Sequence, residues 1–360
     1  MLNYAAALAY FPKLTYQRIE KLYRFFGRAE KIWQAEFDEL LSAGFDSAIA
    51  SEFISWRDTK SVEKITAELE RLDVQTVALP SEDYPKLLKE ITDPPRVIFF
   101  RGTLPAQERP AVAIVGTRKC TSYGKQVTEE FARGLAEQGM VIVSGLALGI
   151  DGVAHEAALA AGGYTVAVLG SAVDKRSIYP AAHQDLSERI IAHGGAVMSE
   201  YPPGFLPTQY SFPARNRIIA GLSRGTLITE APTESGALIT ASCALDYNRE
   251  VFAIPHPLTS LAGQGGNDLL KKGAQPVTNF QDILEALQIK HIEQIVTNNA
   301  VLPVSDTEAT ILKFLSREPR HIDELIKQSG LGSGPVMSTL TLLEMKGKIK
   351  NVGGMMYITK

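Results

Sequence analysis

Apolar positions in the middle of the chain gather into six short runs: AVAIVG (111–116), MVIVSG (140–145), YTVAVLG (164–170), GAVMSEY (195–201), GTLITEA (225–231) and VFAIP (251–255). They recur every 24 to 31 residues, and each but the last is followed by a helix-patterned segment. β-branched runs alternating with amphipathic helices specify βαβ units and a parallel sheet covered on both faces. Gly139, Gly162, Gly163, Gly194, Gly195 and Gly221 stand where the intervening helices should stop. The expected fold class is therefore α/β, a doubly wound and mostly parallel sheet over residues 79–288. Such sheets bind ligands beyond the carboxyl ends of their strands. The loops after Gly116, Gly145, Gly170, Tyr201, Glu230 and Pro255 are thus where chemistry is sought.

Both flanks carry helical patterns. In residues 1–78, Phe25, Phe26, Ile32, Trp33, Phe37, Leu40, Leu41, Phe45, Ile49, Phe53 and Trp56 recur at helical spacing, which predicts a small bundle with an aromatic core. A polar linker (289–304) precedes a unit at 305–360, where Ser305 and Glu308 form a capping-box pattern. Helical patterns at 306–316, 321–329 and 334–346 and a Gly-Gly hairpin signal in KIKNVGGMMYIT predict a winged helix. Its third helix carries Glu344 and no basic residue before Lys346, which argues against duplex reading.

The composition narrows the function classes. A net charge of −3 and a pI near 6.1 provide no general basic footprint, so a nucleic-acid surface must come from local clustering. Cys120 and Cys243 are too few for a disulfide framework, and no cysteine–histidine group has zinc-site spacing, so no metal is expected. No window is long and apolar enough to span a bilayer, and the N-terminus lacks a signal-peptide pattern. The expectation is a soluble cytoplasmic protein with no membrane partner.

The chemistry concentrates in SFPARNRIIAGLS (211–223), where Arg215, Asn216 and Arg217 stand at the head of a predicted helix behind Phe212. Guanidinium forks at a helix start suit phosphate, and a flat ring beside them suits an exposed base. Structural ion pairing of the two arginines is the competing reading. The first loop, VGTRKCTSYGK, adds Arg118, Lys119 and Lys125. It is neither a dinucleotide fingerprint nor a Walker A loop, because Gly-x-Gly-x-x-Gly and Gly-Lys-Ser/Thr are absent and the second strand ends in Ser144-Gly145. No cofactor is expected. Asp151 and His155 in the second loop suit capping and packing better than catalysis. Glu200 and Glu230, ending strands taken as neighbours, could form an acid–base pair or orient Arg215 and Arg217. Lys175, Arg176 and Tyr179 complete a mixture of basic and aromatic residues that fits a strand-tracking groove.

With these motifs in view, the chain resembles the DNA-processing protein A family, also called Smf. The carriers are VGTRKCTSYG, SGLALGIDGVAH, AVLGSAVDKRSIYP, SEYPPG, FPARNRIIAGLS, ITEAPTESGALITA and GNDLLKKGA. The resemblance implies a Rossmann-like core between an N-terminal helical domain, of the sterile-α-motif or helix-hairpin-helix kind, and a C-terminal winged-helix-like domain. It implies a homodimer that binds single-stranded DNA, protects incoming DNA and loads the RecA recombinase onto it in natural transformation, without catalysis. It makes Arg118 a DNA-phosphate ligand and puts Ser144, Gly145, Phe212, Arg215, Asn216 and Arg217 around the same pocket. Relatives often carry Lys where this chain has Gln209 and Ala181, and Gly where it has His256; Lys175 is the expected compensation. Two other classes compete. A nucleotide phosphoribohydrolase-like enzyme would need a double-glycine loop that EAPTESGALITA lacks, and a winged-helix regulator would need a charged recognition helix.

Overall fold

The computed structural model describes residues 3–289, 306–316, 319–345 and 349–359. One sheet is built from β1 (Gln75–Ala78), β2 (Val97–Gly102), β3 (Ala111–Val115), β4 (Val141–Ser144), β5 (Tyr164–Val168), β6 (Ala196–Ser199), β7 (Gly225–Ile228), β8 (Glu250–Ala253) and β9 (Gln275–Pro276). Its order is β1-β2-β6-β5-β4-β3-β7-β8-β9. The strands from β6 to β9 in this order pair in parallel, while β2 is antiparallel to both β1 and β6. The six apolar runs supply β3 to β8, as their patterning predicts. The additions lie at the edges: β1 and β9 are short and partly exposed, and β2 extends the sheet beyond β6 with the apolar run VIFF. Because β1 is part of the sheet, the sheet begins inside the segment 1–78 that the sequence assigns to the helical domain.

Side chains alternate across the sheet with the strand period of two. Ala113, Val115, Val143 and Val166 pack on one face with Ile218 and Ile219 of helix Ser211–Gly221 and Ala241 of helix Ala237–Asp246. Val112, Ile114, Ile142 and Leu227 pack on the other with Phe131 and Leu135 of helix Ser122–Glu137 and Ala154 of helix Ile150–Ala160. Towards β2, Phe99 and Val197 join that face and meet Ala6 and Leu69 of the N-terminal helices. Coverage on both faces explains why β3 and β4 are continuously apolar rather than alternating.

The order of strands fixes where a ligand site can open. From β3 the chain steps outward through β4, β5 and β6, then returns along Ser211–Gly221 and places β7 on the opposite side of β3. The loops leaving β3 and β7 consequently diverge, which opens a crevice at the carboxyl edge between those two strands.

The N-terminal helices enclose a second core around Leu8, Phe11, Leu22, Ile32, Leu40 and Phe53, with Trp33 and Trp56 packed edge-on to one another. Phe25 departs from the expected aromatic core and is 54% exposed. The described residues form two compact units, and the N-terminal helices and the sheet belong to the first. The second unit has helices Asp306–Leu312, Ile322–Ser329 and Ser333–Met345, with strands Arg320–His321, Ile349–Gly353 and Met356–Thr359. The three strands form a sheet with Met356–Thr359 in the middle, and Ile311, Leu325, Val336 and Leu340 make its core. This is the expected winged-helix pattern with one added short strand. Nearly all of the expected linker 289–304 lies outside the described residues, as do Ser305 and Lys346.

Candidate nucleic-acid interface

A cleft of about 630 Å³ lies at the crevice between β3 and β7. It is lined by Gly116, Thr117, Arg118 and Lys119 after β3, Gln209, Phe212 and Asn216 on the returning helix, and Ser235 and Gly236 after β7. Its volume falls within the range of small-molecule sites, and its largely apolar lining includes the exposed cations Arg118 and Lys119.

The loop after β3 is held from behind. Thr117 donates its N–H to the Glu230 carbonyl at 2.7 Å, and Thr121 donates its N–H and hydroxyl to the Glu230 carboxylate, each at 2.7 Å. Thr121 in turn caps helix Ser122–Glu137 by accepting from the Gly124 N–H. Gly149, at φ +76°, lets the Thr117 and Arg118 backbone press against the next loop, where a Cβ would overlap it. The loop is therefore fixed while Arg118 and Lys119 project into solvent. The Arg118 guanidinium carbon sits 5.2 Å from the centre of the Phe212 ring, within cation–π range. The Tyr179 ring lies 5.6 Å from that of Phe212 in a tilted arrangement.

Arg215 also lines the cleft, but its guanidinium is committed to the protein itself. It lies one turn inside helix Ser211–Gly221 rather than at its head, and it is 5% exposed. Its guanidinium donates to the carbonyls of Gly145 and Val168 and to Asn216 Oδ1. Gly145 is a glycine for this reason, since a Cβ there would fall on the guanidinium. Burial disfavours the Arg215 charge, and the Asp151 carboxylate offsets it. Burial likewise raises the Asp151 pKa, opposed by Arg215 and by the N–H groups of Ala147, Gly145 and Gly116. Arg215 thus ties the ends of β4 and β5 to the helix beneath the cleft. Ser144 is fully buried and donates to the Ile114 carbonyl, so neither it nor the Gly145 N–H, which is bound to Asp151, faces a ligand. Asn216 reaches the cleft and donates to the Gly236 carbonyl at 3.1 Å.

Arg217 does not join the others. Two helical residues are rotated about 200° apart, so Arg217 points away from Arg215. It pairs with Glu200 at 2.5 Å and Asp93 at 3.2 Å on a separate cleft. The bland expectation of structural ion pairing therefore describes Arg217. The expected adjacency of Glu200 and Glu230 is also overturned: they follow β6 and β7, which β5, β4 and β3 separate. Their carboxylates hold Arg217 and Thr121, so they form no acid–base pair. His155 is fully buried, with Nδ1 against the Thr165 hydroxyl; that hydroxyl donates to the Ile142 carbonyl and so accepts from the ring. Burial first, then His183 and Arg215, lower its pKa to about 3, leaving it neutral.

Lys175 is exposed on the loop after β5, outside the residues lining the cleft. Its carbonyl accepts from Gln184. Gln209 lines the cleft as a neutral residue. Ala181 opens a 3₁₀ turn. His256 donates Nε2–H to the Thr229 carbonyl and stands edge-on to Tyr123, while Asn267 bonds its N–H and carbonyl. The turn after β8 is thereby closed around the His256 imidazole. Lys119, which the sequence places beside Arg118 in the first loop, lines the cleft with it, whereas Lys125 of the same motif does not.

Among the described residues, no group of three or more His, Cys, Asp and Glu could hold a metal ion, and no helix is long and apolar enough to cross a membrane.

Comparison with known proteins agrees with this fold. The family model for DNA recombination-mediator protein A matches residues 75–288, and the DprA winged helix domain model matches 297–355. Protein Smf of Synechocystis is 35% identical over 378 residues, covering 94% of each chain. The crystal structure of DNA processing protein A from Streptococcus pneumoniae superposes with a TM-score of 0.66 at 37% identity, covering 78% of this chain and 95% of that one. A DNA processing protein A from Helicobacter pylori, described for its single-stranded DNA binding mode, gives a TM-score of 0.52 at 36% identity over 60% of this chain and 95% of that one. Joined to a sheet order that could not be guessed from the motifs, matches on this scale establish that the chain belongs to the DNA-processing protein A (Smf) family.

Proposed function

We propose that the chain binds single-stranded DNA in the cleft between β3 and β7 and passes it to the RecA recombinase, acting as a cytoplasmic homodimer in transformation and recombination. The observation that carries this reading is the exposed Arg118 guanidinium lying over the Phe212 ring beside Lys119. A phosphate meets the cations while the adjacent base stacks on the Phe212–Tyr179 group, which serves any sequence because every base has a π-face. The Helicobacter pylori relative, whose description concerns single-stranded DNA, supports the same ligand class here.

Residues divide into two roles under this reading. Arg118, Lys119, Phe212, Gln209 and Asn216 face the strand, and Lys175 lies on a neighbouring loop where a longer strand can reach it. Ser144, Gly145 and Arg215 form the scaffold that fixes the returning helix, and Arg217 fixes its far side. The role is binding and transfer rather than catalysis: His155 is buried and neutral, and the two strand-end glutamates are committed to structural bonds.

The test is fluorescence anisotropy of labelled oligo-dT and the matching duplex across a salt series. Tight single-strand and weak duplex binding is the expected result; equal affinity for both would remove the reading.

A further inference from the structure

A second cleft, of about 260 Å³, lies between the N-terminal helices and the loop after β6. Tyr16 and Tyr23 line it from one N-terminal helix, Phe11 from the turn before that helix, and Tyr201 and Phe205 from the loop. The last two stack face to face, with ring centres 4.1 Å apart and planes 7° from parallel. Arg96, which also lines the cleft, lies over Tyr23 and pairs with Glu20. Such aromatic density in so small a volume favours a flat occupant.

Polar atoms of three lining residues lack hydrogen-bond partners. Glu200 and Arg217 both line this cleft. Their ion pair uses Glu200 Oε2 and Arg217 Nη2, and Asp93 takes Arg217 Nε. Glu200 Oε1 and Arg217 Nη1 are left buried without a partner, as is the hydroxyl of Tyr10, another lining residue. A native interior rarely leaves such groups unpaired, and here a vacant acceptor and a vacant donor belong to the two members of one ion pair. A nucleobase edge carries the complementary pattern, an N–H beside an acceptor, on a flat ring that stacks on aromatic side chains.

We propose that this cleft is a second ligand site, taking one nucleobase whose polar edge completes Glu200 Oε1 and Arg217 Nη1. The site stands apart from strand binding between β3 and β7, so its test is separable from that one. Two sources can supply the base: a free mononucleotide, or one nucleotide of a DNA strand.

The experiment is saturation-transfer-difference NMR of dTMP and dGMP with the full chain carrying Arg118→Ala and Phe212→Ala, which silence the first cleft. Base protons should receive saturation. Adding Phe205→Ala should weaken the affinity at least tenfold, with Tyr16→Ala on the opposite wall as the second variant should Phe205→Ala fail to fold. Displacement of dTMP by an oligo-dT assigns the base to a strand, and retention assigns it to a free nucleotide. No saturation in the doubly substituted protein, or affinity unmoved by either wall variant, would overturn the proposal and leave the cleft to water alone.

Discussion

The Arg118–Phe212 pair separates charge from stacking, and the two contributions respond differently to salt. Two exposed cations line the cleft, Arg118 and Lys119, and two more, Lys175 and Arg176, are exposed on the loop after β5. If two to four of them each neutralise one phosphate, the log–log salt dependence of single-strand binding has a slope of about −1.4 to −2.8. Arg118→Ala removes one contact and should flatten that slope by about 0.7. Phe212→Ala removes one stacking face and should cost about 1–3 kcal/mol, roughly 5- to 150-fold in Kd, while leaving the slope nearly unchanged. Because the guanidinium lies 5.2 Å over the ring, the substitutions should couple by about 0.5–1 kcal/mol in a double-mutant cycle. Anisotropy titrations of an oligo-dT at four salt concentrations give all three quantities. Arg118 is exposed, so its loss should change folding stability by no more than about 0.5 kcal/mol, which a urea titration verifies. An Arg118→Ala protein with an unaltered slope, or a Phe212→Ala defect that vanishes at high salt, would refute this division of labour.

Three further outcomes follow from the scaffold. Arg215→Ala leaves the Gly145 and Val168 carbonyls and Asn216 Oδ1 without their donor, and should destabilise the fold by about 3–5 kcal/mol in urea denaturation, whereas Arg118→Ala should not. Glu230→Ala frees the loop after β3 and should cost about 2–4 kcal/mol of stability; it should also weaken oligo-dT binding although its carboxylate is bonded to Thr121. His155 carries a pH signature: its pKa of about 3 lies below the 6.5 of an ordinary histidine, so below pH 6.5 the unfolded chain gains a proton that the folded one refuses. Its contribution is intact above pH 6.5 and is lost progressively down to about pH 3, in full roughly 4–5 kcal/mol. Urea midpoints measured from pH 7 to pH 4 should therefore fall less steeply for His155→Gln.

The strands from β3 to β8 were legible because each is a β-branched run closed by a turn residue, and coverage on both faces permits no other pattern. β9 escaped because two exposed residues, Gln275 and Pro276, carry no period. The site was legible only in part. The motif around Phe212 marks the correct helix, and the loop carrying Arg118 follows the first run. Strand order, however, depends on crossovers that no local signal records, so nothing in the sequence shows that three strands separate those preceding Glu200 and Glu230. A signal for Arg217 was available: with about 100° of rotation per helical residue, Arg215 and Arg217 could not both face one cleft. Burial of Arg215 left no such trace, because a guanidinium bound to carbonyls and one awaiting phosphate have the same sequence. The clue lay seventy residues away, in the glycine of Ser144-Gly145 that makes room for it.

The central claim is that the cleft between β3 and β7 holds the strand, and hydrogen–deuterium exchange of the full chain with and without saturating oligo-dT tests it most directly. The account predicts slowed exchange at residues 116–121 and 208–217, where the loop after β3 and the returning helix meet the strand. Unchanged exchange there, with protection confined to helix Ser333–Met345 of the winged-helix unit, would contradict it.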